Sequence, residues 1–251
     1  MLFRSITPDH LDRYDGFAAY AASKARLFEM QSAGHEIVAN PHNEVAYDLA
    51  MVHISRRSLS CPSWEDFDDQ PFQQHWPALQ GPHNLENAEA ARITTEVLGV
   101  PVEVIEPALR TYPGLPHRME RIREINGVLY VNDSKATNAT STAPALAAYP
   151  VIHWILGGQA KTDELDACVP HLGHVKTAFT IGRDSTMLAN ILRGHGVAVS
   201  QSVTLDQAVK RASIAAKPGE TVLLSPACAS FDQFKDYEDR GDQFRALVGA
   251  L

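Results

Sequence analysis

The stretch VLYVNDSKATNATSTAPALAAYPVIHWILGGQAK, residues 128–161, decides the fold class of this chain. It contains an apolar strand, a polar loop, a helix of small residues, a second apolar strand and a second polar loop. The same alternation of strands and helices continues to residue 247. Strands that alternate with helices of about 10–15 residues indicate βαβ units around a parallel sheet. Residues 115–251 are therefore predicted to form a complete, doubly wound, Rossmann-like α/β domain.

The individual elements of this half follow from its hydrophobic patterning. Asn126 and Gly127 form a dipeptide favoured in two-residue hairpins, so the segments on either side are predicted to pair. The predicted strands cover residues 118–125, 128–132, 151–156, 177–181, 197–201 and 221–224. The predicted helices cover residues 141–148, 164–172, 185–193, 205–215 and 231–247.

The preceding half has a different composition, and the change falls at the Pro-Gly-Leu-Pro segment of residues 113–116. A cluster of proline and glycine residues is typical of a domain boundary, so residues 1–114 and 115–251 are predicted to be separate domains. In the first of them, helices are predicted over residues 16–30, 84–98 and 102–111, and strands over residues 35–40 and 50–54. Residues 56–80 are polar and broken by prolines, which favours irregular or edge structure.

Composition excludes several classes of function. The 22 basic and 30 acidic residues give a net charge of −8, which disfavours binding to nucleic acid or to an anionic membrane. No apolar run approaches the roughly 20 residues that span a bilayer, and the first ten residues do not resemble a signal peptide. The three cysteines are odd in number and far apart, which favours a reducing compartment. A cytoplasmic location is expected.

Three polar loops follow predicted strands of the second half, at the edge where parallel sheets bind ligands. Their sequences are NDSKATN (residues 132–138), LGGQAK (residues 156–161) and SPACASFDQF (residues 225–234). Lysines, hydroxyls and close backbone approach at glycine suit an anionic ligand. LGGQAK lacks the spacing of a Walker A loop. Each loop taken alone is also explained by a capped turn, which is the favoured interpretation for NDSKATN, and Cys228 favours a buried thiol over a nucleophile.

Two further features lie in the first half. The segment GPHNLEN places Asn84 and Asn87 three residues apart at the head of a helix, where both amides share one face. Amides suit the donor and acceptor edge of a base, although Asn84 is equally well explained as a helix cap. His10 and Lys24 are polar groups that suit a metal–phosphate centre, and without context they are more typical of the surface.

In their order along the chain, the segments TPDHLDRY, GPHNLEN, GLPHR, NDSKATN, LGGQAK and SPACASFDQF resemble the Mur ligases of bacterial cell-wall synthesis. The resemblance runs from residue 6 to near the end and is weakest over residues 56–80. It implies an enzyme that adds D-glutamate to UDP-N-acetylmuramoyl-L-alanine through an acyl phosphate, with ATP and Mg²⁺. It also implies that residues 1–114 belong to an ATPase-type central domain with an incomplete parallel sheet. The full-length parent enzyme is expected to be a monomer.

The resemblance also assigns roles to individual residues. It implies that His10 binds magnesium, that Lys24 binds it as a carbamate, and that both act in catalysis with Lys135. The implied nucleotide contacts are Asn84, Asn87, Arg118 and Asp133. The implied D-glutamate contacts are Lys135, Thr137, Lys161, Ser230, Phe231 and Tyr237. Tyr237 stands where similar proteins carry phenylalanine.

The chain departs from the family pattern at its start, where a UDP-binding domain and a Walker A loop are missing. A fragment of a longer enzyme that is inactive alone is therefore expected. Two alternatives remain open: a ligase similar to folylpolyglutamate synthetase, and a non-catalytic Rossmann-like module that binds an amino acid or a nucleotide.

Overall fold

The computed structural model describes residues 2–3, 6, 13–32, 34–41, 43–54, 58–60 and 71–251. The chain divides into two compact units. The first contains residues 1–79 and 83–112, and the second contains residues 80–82 and 113–251. In the described residues, no helix has the length and apolar character that crossing a membrane requires.

The first unit contains a small parallel sheet in the order β1-β2-β3. Its elements are β1 (Leu2–Phe3), α1 (Gly16–Glu29), β2 (Glu36–Ala39), α2 (Glu44–His53), β3 (Ser58–Ser60), a 3₁₀ helix (Pro71–His75), α3 (Pro82–Val97) and α4 (Val102–Thr111). Phe28 and Ile37 are fully buried in a core formed by α1, α2 and β2. A smaller cluster lies around Trp76 and Leu79.

The second unit contains a six-stranded sheet in the order β4-β5-β9-β6-β7-β8. Its elements are β4 (Glu120–Ile125), β5 (Val128–Asn132), α5 (Ala139–Ala147), β6 (Ile152–Gly157), a 3₁₀ segment (Asp166–His174), β7 (Val175–Ile181), α6 (Ser185–Gly194), β8 (Val199–Val203), α7 (Leu205–Ala215), β9 (Thr221–Leu224) and α8 (Tyr237–Gly249). Strand β4 pairs antiparallel with β5, and the other pairs are parallel.

Helices cover both faces of this sheet, so the second unit is doubly wound as predicted. On one face, Trp154 and Leu156 of β6 pack with α5 and α6. On the other face, Ile155 of β6 packs with α7 and α8. Strand β6 is buried along its whole length, which explains why its sequence is apolar except for His153.

The predicted hairpin between β4 and β5 is confirmed. Asn126 and Gly127 have φ values of 51° and 77°, the pair of positive values that a type I′ turn requires. The carbonyl of Gly127 accepts a hydrogen bond from the amide of Gly219 at 2.7 Å. This contact joins the hairpin to the loop before β9.

Three predicted elements were wrong in type or extent. Residues 50–54 do not form a strand, because they continue α2, whose start is capped by Asn43 accepting from the amide of Ala46 at 2.9 Å. Residues 166–174 form a 3₁₀ segment, since Pro170 removes a donor that an α-helix would use. Helix α8 begins only at Tyr237, where Asp236 caps it. The residues before it form turns.

Candidate ligand site at the carboxyl ends of the second sheet

The candidate site consists of three loops that leave β5, β6 and β9 at the same edge of the sheet. They are named here the first loop (residues 133–138), the second loop (residues 158–162) and the third loop (residues 225–236). Because β9 lies between β5 and β6 in the sheet, the third loop has the other two as its neighbours.

Backbone hydrogen bonds join these loops. The amide of Ala227 in the third loop donates to the carbonyl of Ala136 in the first loop at 3.0 Å. Gln159 of the second loop and Ala229 of the third loop exchange two bonds of 2.9 Å each. The three loops therefore form one connected surface.

Close backbone approach holds the second loop in place. Gly157 and Gly158 have φ values of 128° and 132°. A Cβ atom at Gly157 would lie 2.0 Å from the carbonyl oxygen of Ile181, and one at Gly158 would lie 2.2 Å from that of Ala229. These two positions therefore require glycine.

Lys135 and Tyr237 lie together beside the first loop. The Nζ of Lys135 donates to the hydroxyl of Tyr237 at 3.0 Å and lies 4.7 Å from the centre of its ring. The Tyr237 hydroxyl donates in turn to Glu238 at 2.9 Å. The lysine residue as a whole is half-buried.

Asp133 is buried at the start of the first loop. Its carboxylate accepts from the amide of Met119 at 3.2 Å and from the hydroxyl of Ser225 at 2.8 Å. Burial raises its pKa to about 7, although both hydrogen bonds and the charge of Arg118 oppose this rise. Arg118 itself is exposed.

The other predicted D-glutamate contacts lie on the same three loops. Thr137 is half-buried, Lys161 is exposed and Ser230 is only 2% exposed. Phe231 is 70% exposed, which is unusual for a phenylalanine and places its ring at the surface of the third loop. The loops are brought together, and the convergence of these side chains on one ligand stays a prediction.

The structure describes only some of the predicted site residues of the first unit. Lys24 is exposed on α1, with its Nζ 5.3 Å from the centre of the Tyr20 ring. His10 lies outside the described residues. On α3, the side-chain amide of Asn87 donates to that of Asn84 at 3.1 Å, so the two amides share one face of the helix.

These residues give limited support for a magnesium site. The part of the chain that the structure describes contains no group of three metal-ligating side chains. The amine of Lys24 is not itself a magnesium ligand, because magnesium prefers oxygen ligands. Magnesium binding by His10 and carbamylated Lys24 stays a prediction.

Sequence analysis missed two side chains that organise the site. Arg240 of α8 is completely buried and donates hydrogen bonds to the first and third loops. The carboxylate of Asp184 accepts at 2.8 Å from the amide of Ala160, directly before Lys161. A signal for Arg240 was present, because it shares its spacing of four with the apolar Phe244 and Val248 along α8.

The Cys228 thiol is buried in the third loop. It is 1% exposed, and burial raises its pKa to about 12. The thiol is therefore protonated at neutral pH, in keeping with the predicted buried role.

Comparison with known proteins identifies the family. The family model described as "Mur ligase, glutamate ligase domain" matches residues 117–228, and the one described as "Mur ligase middle domain" matches residues 1–60. A UDP-N-acetylmuramoylalanine–D-glutamate ligase from Novosphingobium aromaticivorans is 51% identical over 257 residues. The chain belongs to the Mur ligase family.

Other Mur ligases agree with this assignment. The ligase of the same name from Zymomonas mobilis is 48% identical over 250 residues. These two alignments each cover 98% of this chain, and 56% and 55% of the respective relatives. The chain thus spans about 56% of the length of the Novosphingobium relative.

Solved structures confirm the α/β fold. UDP-N-acetylmuramate-alanine ligase from Thermotoga maritima has a TM-score of 0.67 at 12% identity, covering 99% of this chain and 59% of that chain. Bifunctional folylpolyglutamate synthase/dihydrofolate synthase from Yersinia pestis, solved with AMPPNP and a Mn ion, has a TM-score of 0.63 at 18% identity. That match covers 98% of this chain and 61% of that chain. At such identities the likeness concerns the fold alone.

Proposed function

We propose that this chain takes part in the ATP-dependent ligation of D-glutamate to UDP-N-acetylmuramoyl-L-alanine. The observation that carries the proposal is the connected surface of three strand-end loops, which bears Lys135 and Lys161. D-Glutamate has two carboxylates, and two lysines beside a buried hydroxyl complement them in charge and hydrogen bonding. The relatives at 48% and 51% identity bear the name of this reaction.

In the proposed reaction, the carboxylate of the UDP-linked substrate attacks the γ-phosphate of ATP, which gives an acyl phosphate and ADP. The amine of D-glutamate then attacks the acyl carbon. The tetrahedral intermediate expels inorganic phosphate, the amine loses a proton, and the amide bond remains. Magnesium would neutralise the phosphate oxygens during these steps.

The second unit would bind and orient D-glutamate. Lys135 and Lys161 would hold its carboxylates, together with Thr137, Ser230 and the exposed ring of Phe231. Lys135, oriented by Tyr237, would stabilise negative charge near the reacting atoms. Asp133 and Arg118 would contact the nucleotide, as would Asn84 and Asn87 from the first unit.

Each of the two domains has a separate role in the proposed reaction. Residues 1–114 would contribute the central, ATP-binding domain, with Lys24 and His10 at the metal. Residues 115–251 would contribute the C-terminal domain that binds the amino acid. The described boundary between the compact units, at residues 112 and 113, supports this division.

The test uses a chimera in which this chain replaces the matching part of the Novosphingobium relative. Amide formation is measured with ATP, UDP-N-acetylmuramoyl-L-alanine and radiolabelled D-glutamate. We expect product with D-glutamate and much less with L-glutamate. Lys161→Ala should raise the KM for D-glutamate far more than the KM for ATP, because the lysine binds a carboxylate.

The matched control is Lys210→Ala, which removes an exposed lysine of α7 that belongs to none of the three loops. It should leave both KM values unchanged. A Lys161→Ala chimera with a raised KM for ATP and an unaltered KM for D-glutamate would instead assign this lysine to phosphate. Calorimetric binding of D-glutamate to the 251-residue chain, with no ligation by the chimera, would favour the non-catalytic binding module.

A further inference from the structure

Arg240 is a completely buried arginine that contacts the loops of the candidate site. From α8, its Nε donates to the hydroxyl of Ser134 at 2.9 Å, and its Nη2 donates to the carbonyl of the same residue at 2.8 Å. Its Nη1 donates to the carbonyl of Cys228 at 3.1 Å and, more weakly, to that of Gly157 at 3.5 Å. One side chain therefore joins the first loop, the third loop and the end of β6.

The partners of this guanidinium are unusual for a buried charge. They are three main-chain carbonyls and one hydroxyl, and no carboxylate of the described residues forms an ion pair with Arg240. Burial lowers its pKa to about 10, with nearby Cys228 and Asp232 opposing this effect. The side chain is still charged at neutral pH. Burying a cation without a paired anion costs free energy. This cost favours a role for Arg240 other than stability alone.

The fork of the guanidinium, rather than its charge alone, matches these partners. The planar group presents donors in fixed directions, so it can bond to Ser134 with two nitrogens while a third bonds to Cys228. A lysine at this position has one nitrogen and cannot reach the same set of acceptors. The next residue, Gly241, lies against His117, where a Cβ atom would come within 2.1 Å of Nδ1. The absence of a side chain at Gly241 lets α8 lie this close to His117.

We propose that Arg240 is a positioning residue, whose guanidinium fork sets the relative positions of the loops that carry Lys135, Thr137 and Ser230. The inference rests on the proposed function for its ligand, and on the observed contacts alone for its structural part. In the absence of the fork, the carbonyls of Ser134 and Cys228 lose their shared donor. The first and third loops then separate, and the groups that hold the two ends of D-glutamate no longer have a fixed spacing.

The first test needs no ligand. Hydrogen exchange is measured by mass spectrometry on the 251-residue chain and on Arg240→Lys and Arg240→Met. We expect the amide of Ala227, which bonds to the first loop, to exchange at least about tenfold faster in both variants. The exchange of β6 and β7 should remain as in the parent chain. Unchanged exchange at Ala227 in both variants would overturn the inference, whatever the ligand is.

The second test measures kinetics in the chimera described above. Arg240→Lys should raise the KM for D-glutamate by about 10- to 100-fold, because small misplacements of binding groups have effects of that size. The KM for ATP should change little. Full activity of the lysine variant would show that charge alone is sufficient, and would contradict a role for the fork.

Two further variants keep the result interpretable. Ser134→Ala removes the hydroxyl that accepts from Arg240 and donates to the carbonyl of Tyr237, but it leaves the Ser134 carbonyl in place. It should therefore shift the KM for D-glutamate in the same direction by less. Arg245→Met removes an arginine from the same helix, where it pairs with Glu120 and Asp242 rather than with the loops. It should leave the KM for D-glutamate unchanged. If the Arg245 variant raises this KM as much as the Arg240 variants do, the effect belongs to α8 as a whole and the inference fails.

Discussion

The ammonium group of Lys135 and the side chain of Tyr237 form a pair through both the hydroxyl and the ring. The nitrogen lies 3.0 Å from the phenolic oxygen and 4.7 Å from the ring centre. The two residues are separated by 102 positions in the chain, and the pair joins the first loop to the start of α8. An aromatic residue at position 237 therefore sets where the lysine charge is placed.

Replacing Tyr237 separates the contributions of the hydroxyl and the ring. Tyr237→Phe removes the hydrogen bonds of the hydroxyl with Lys135 and Glu238 and keeps the ring–cation contact, so we expect a loss in kcat/KM for D-glutamate of less than about tenfold. Tyr237→Ala removes both, and its loss should exceed that of the phenylalanine variant by roughly tenfold. Steady-state kinetics of the chimera measure both values. Equal losses for the two variants would show that the ring does not position Lys135.

Asp133 should make stability depend on pH in an unusual direction. Its pKa is raised to about 7 by burial, so its neutral form is favoured in the folded state. The stability that this group contributes is complete below about pH 4 and is lost as the pH rises to 7. Asp133→Asn cannot ionise, so it should gain unfolding free energy relative to the parent chain over this range, by about 4 kcal/mol at most.

Denaturant titrations of the 251-residue chain between pH 4 and pH 8 measure this difference. Asp163→Asn, which changes an exposed aspartate, is the control and should give a difference that does not follow this profile. A constant difference between Asp133→Asn and the parent chain across the range would contradict the raised pKa.

Glu220 should have the opposite pH profile at the other end of the sheet. Its carboxylate contacts His153 at 2.8 Å and Lys176 at 2.5 Å. Burial acts to raise its pKa, but these contacts and the amide of Lys217 together lower it to about 2. The stability that it contributes is present above about pH 4.5 and is lost as the pH falls towards 2.

Glu220→Gln should therefore destabilise the chain by about 1–3 kcal/mol at pH 7, and the deficit should shrink on acidification. Unfolding midpoints at pH 7, 5 and 3 test this expectation. The exposed Glu124→Gln serves as the control and should shift the midpoint little. A deficit of the same size at pH 3 and pH 7 would show that loss of the charge is not the cause.

Gly158 should tolerate no side chain. Gly158 has a φ of 132°, and a Cβ atom there would lie 2.2 Å from the carbonyl oxygen of Ala229. We therefore expect Gly158→Ala to lower the free energy of unfolding by more than about 2 kcal/mol. Gly194→Ala is the matched control, because a Cβ at this helical position meets no atom within 4 Å. That change should stabilise the chain by up to about 1 kcal/mol. Thermal melts of both variants distinguish a local requirement for glycine from a general sensitivity of the fold.

Much of the second unit could be predicted because its strands are short apolar runs separated by distinct turn residues. The boundaries of α7 and β9 agree with their predicted ranges, 205–215 and 221–224, since each is flanked by clear polar or proline-containing segments. The wrong strand at residues 50–54 shows the limit of this approach. A short apolar run fits a buried strand or one turn of a buried helix, and only the cap at Asn43 distinguishes them.

The sequence by itself determined the alternation of strands and helices, the hairpin at Asn126 and Gly127, and the edge of the sheet where polar loops gather. These depend on local patterns of hydrophobicity and on backbone preferences, which the chain carries residue by residue. Only the tertiary structure placed Arg240 against Ser134 and Lys135 against Tyr237. Each of these contacts joins residues more than a hundred positions apart, and the partners meet because α8 packs on the same sheet from which the first loop emerges.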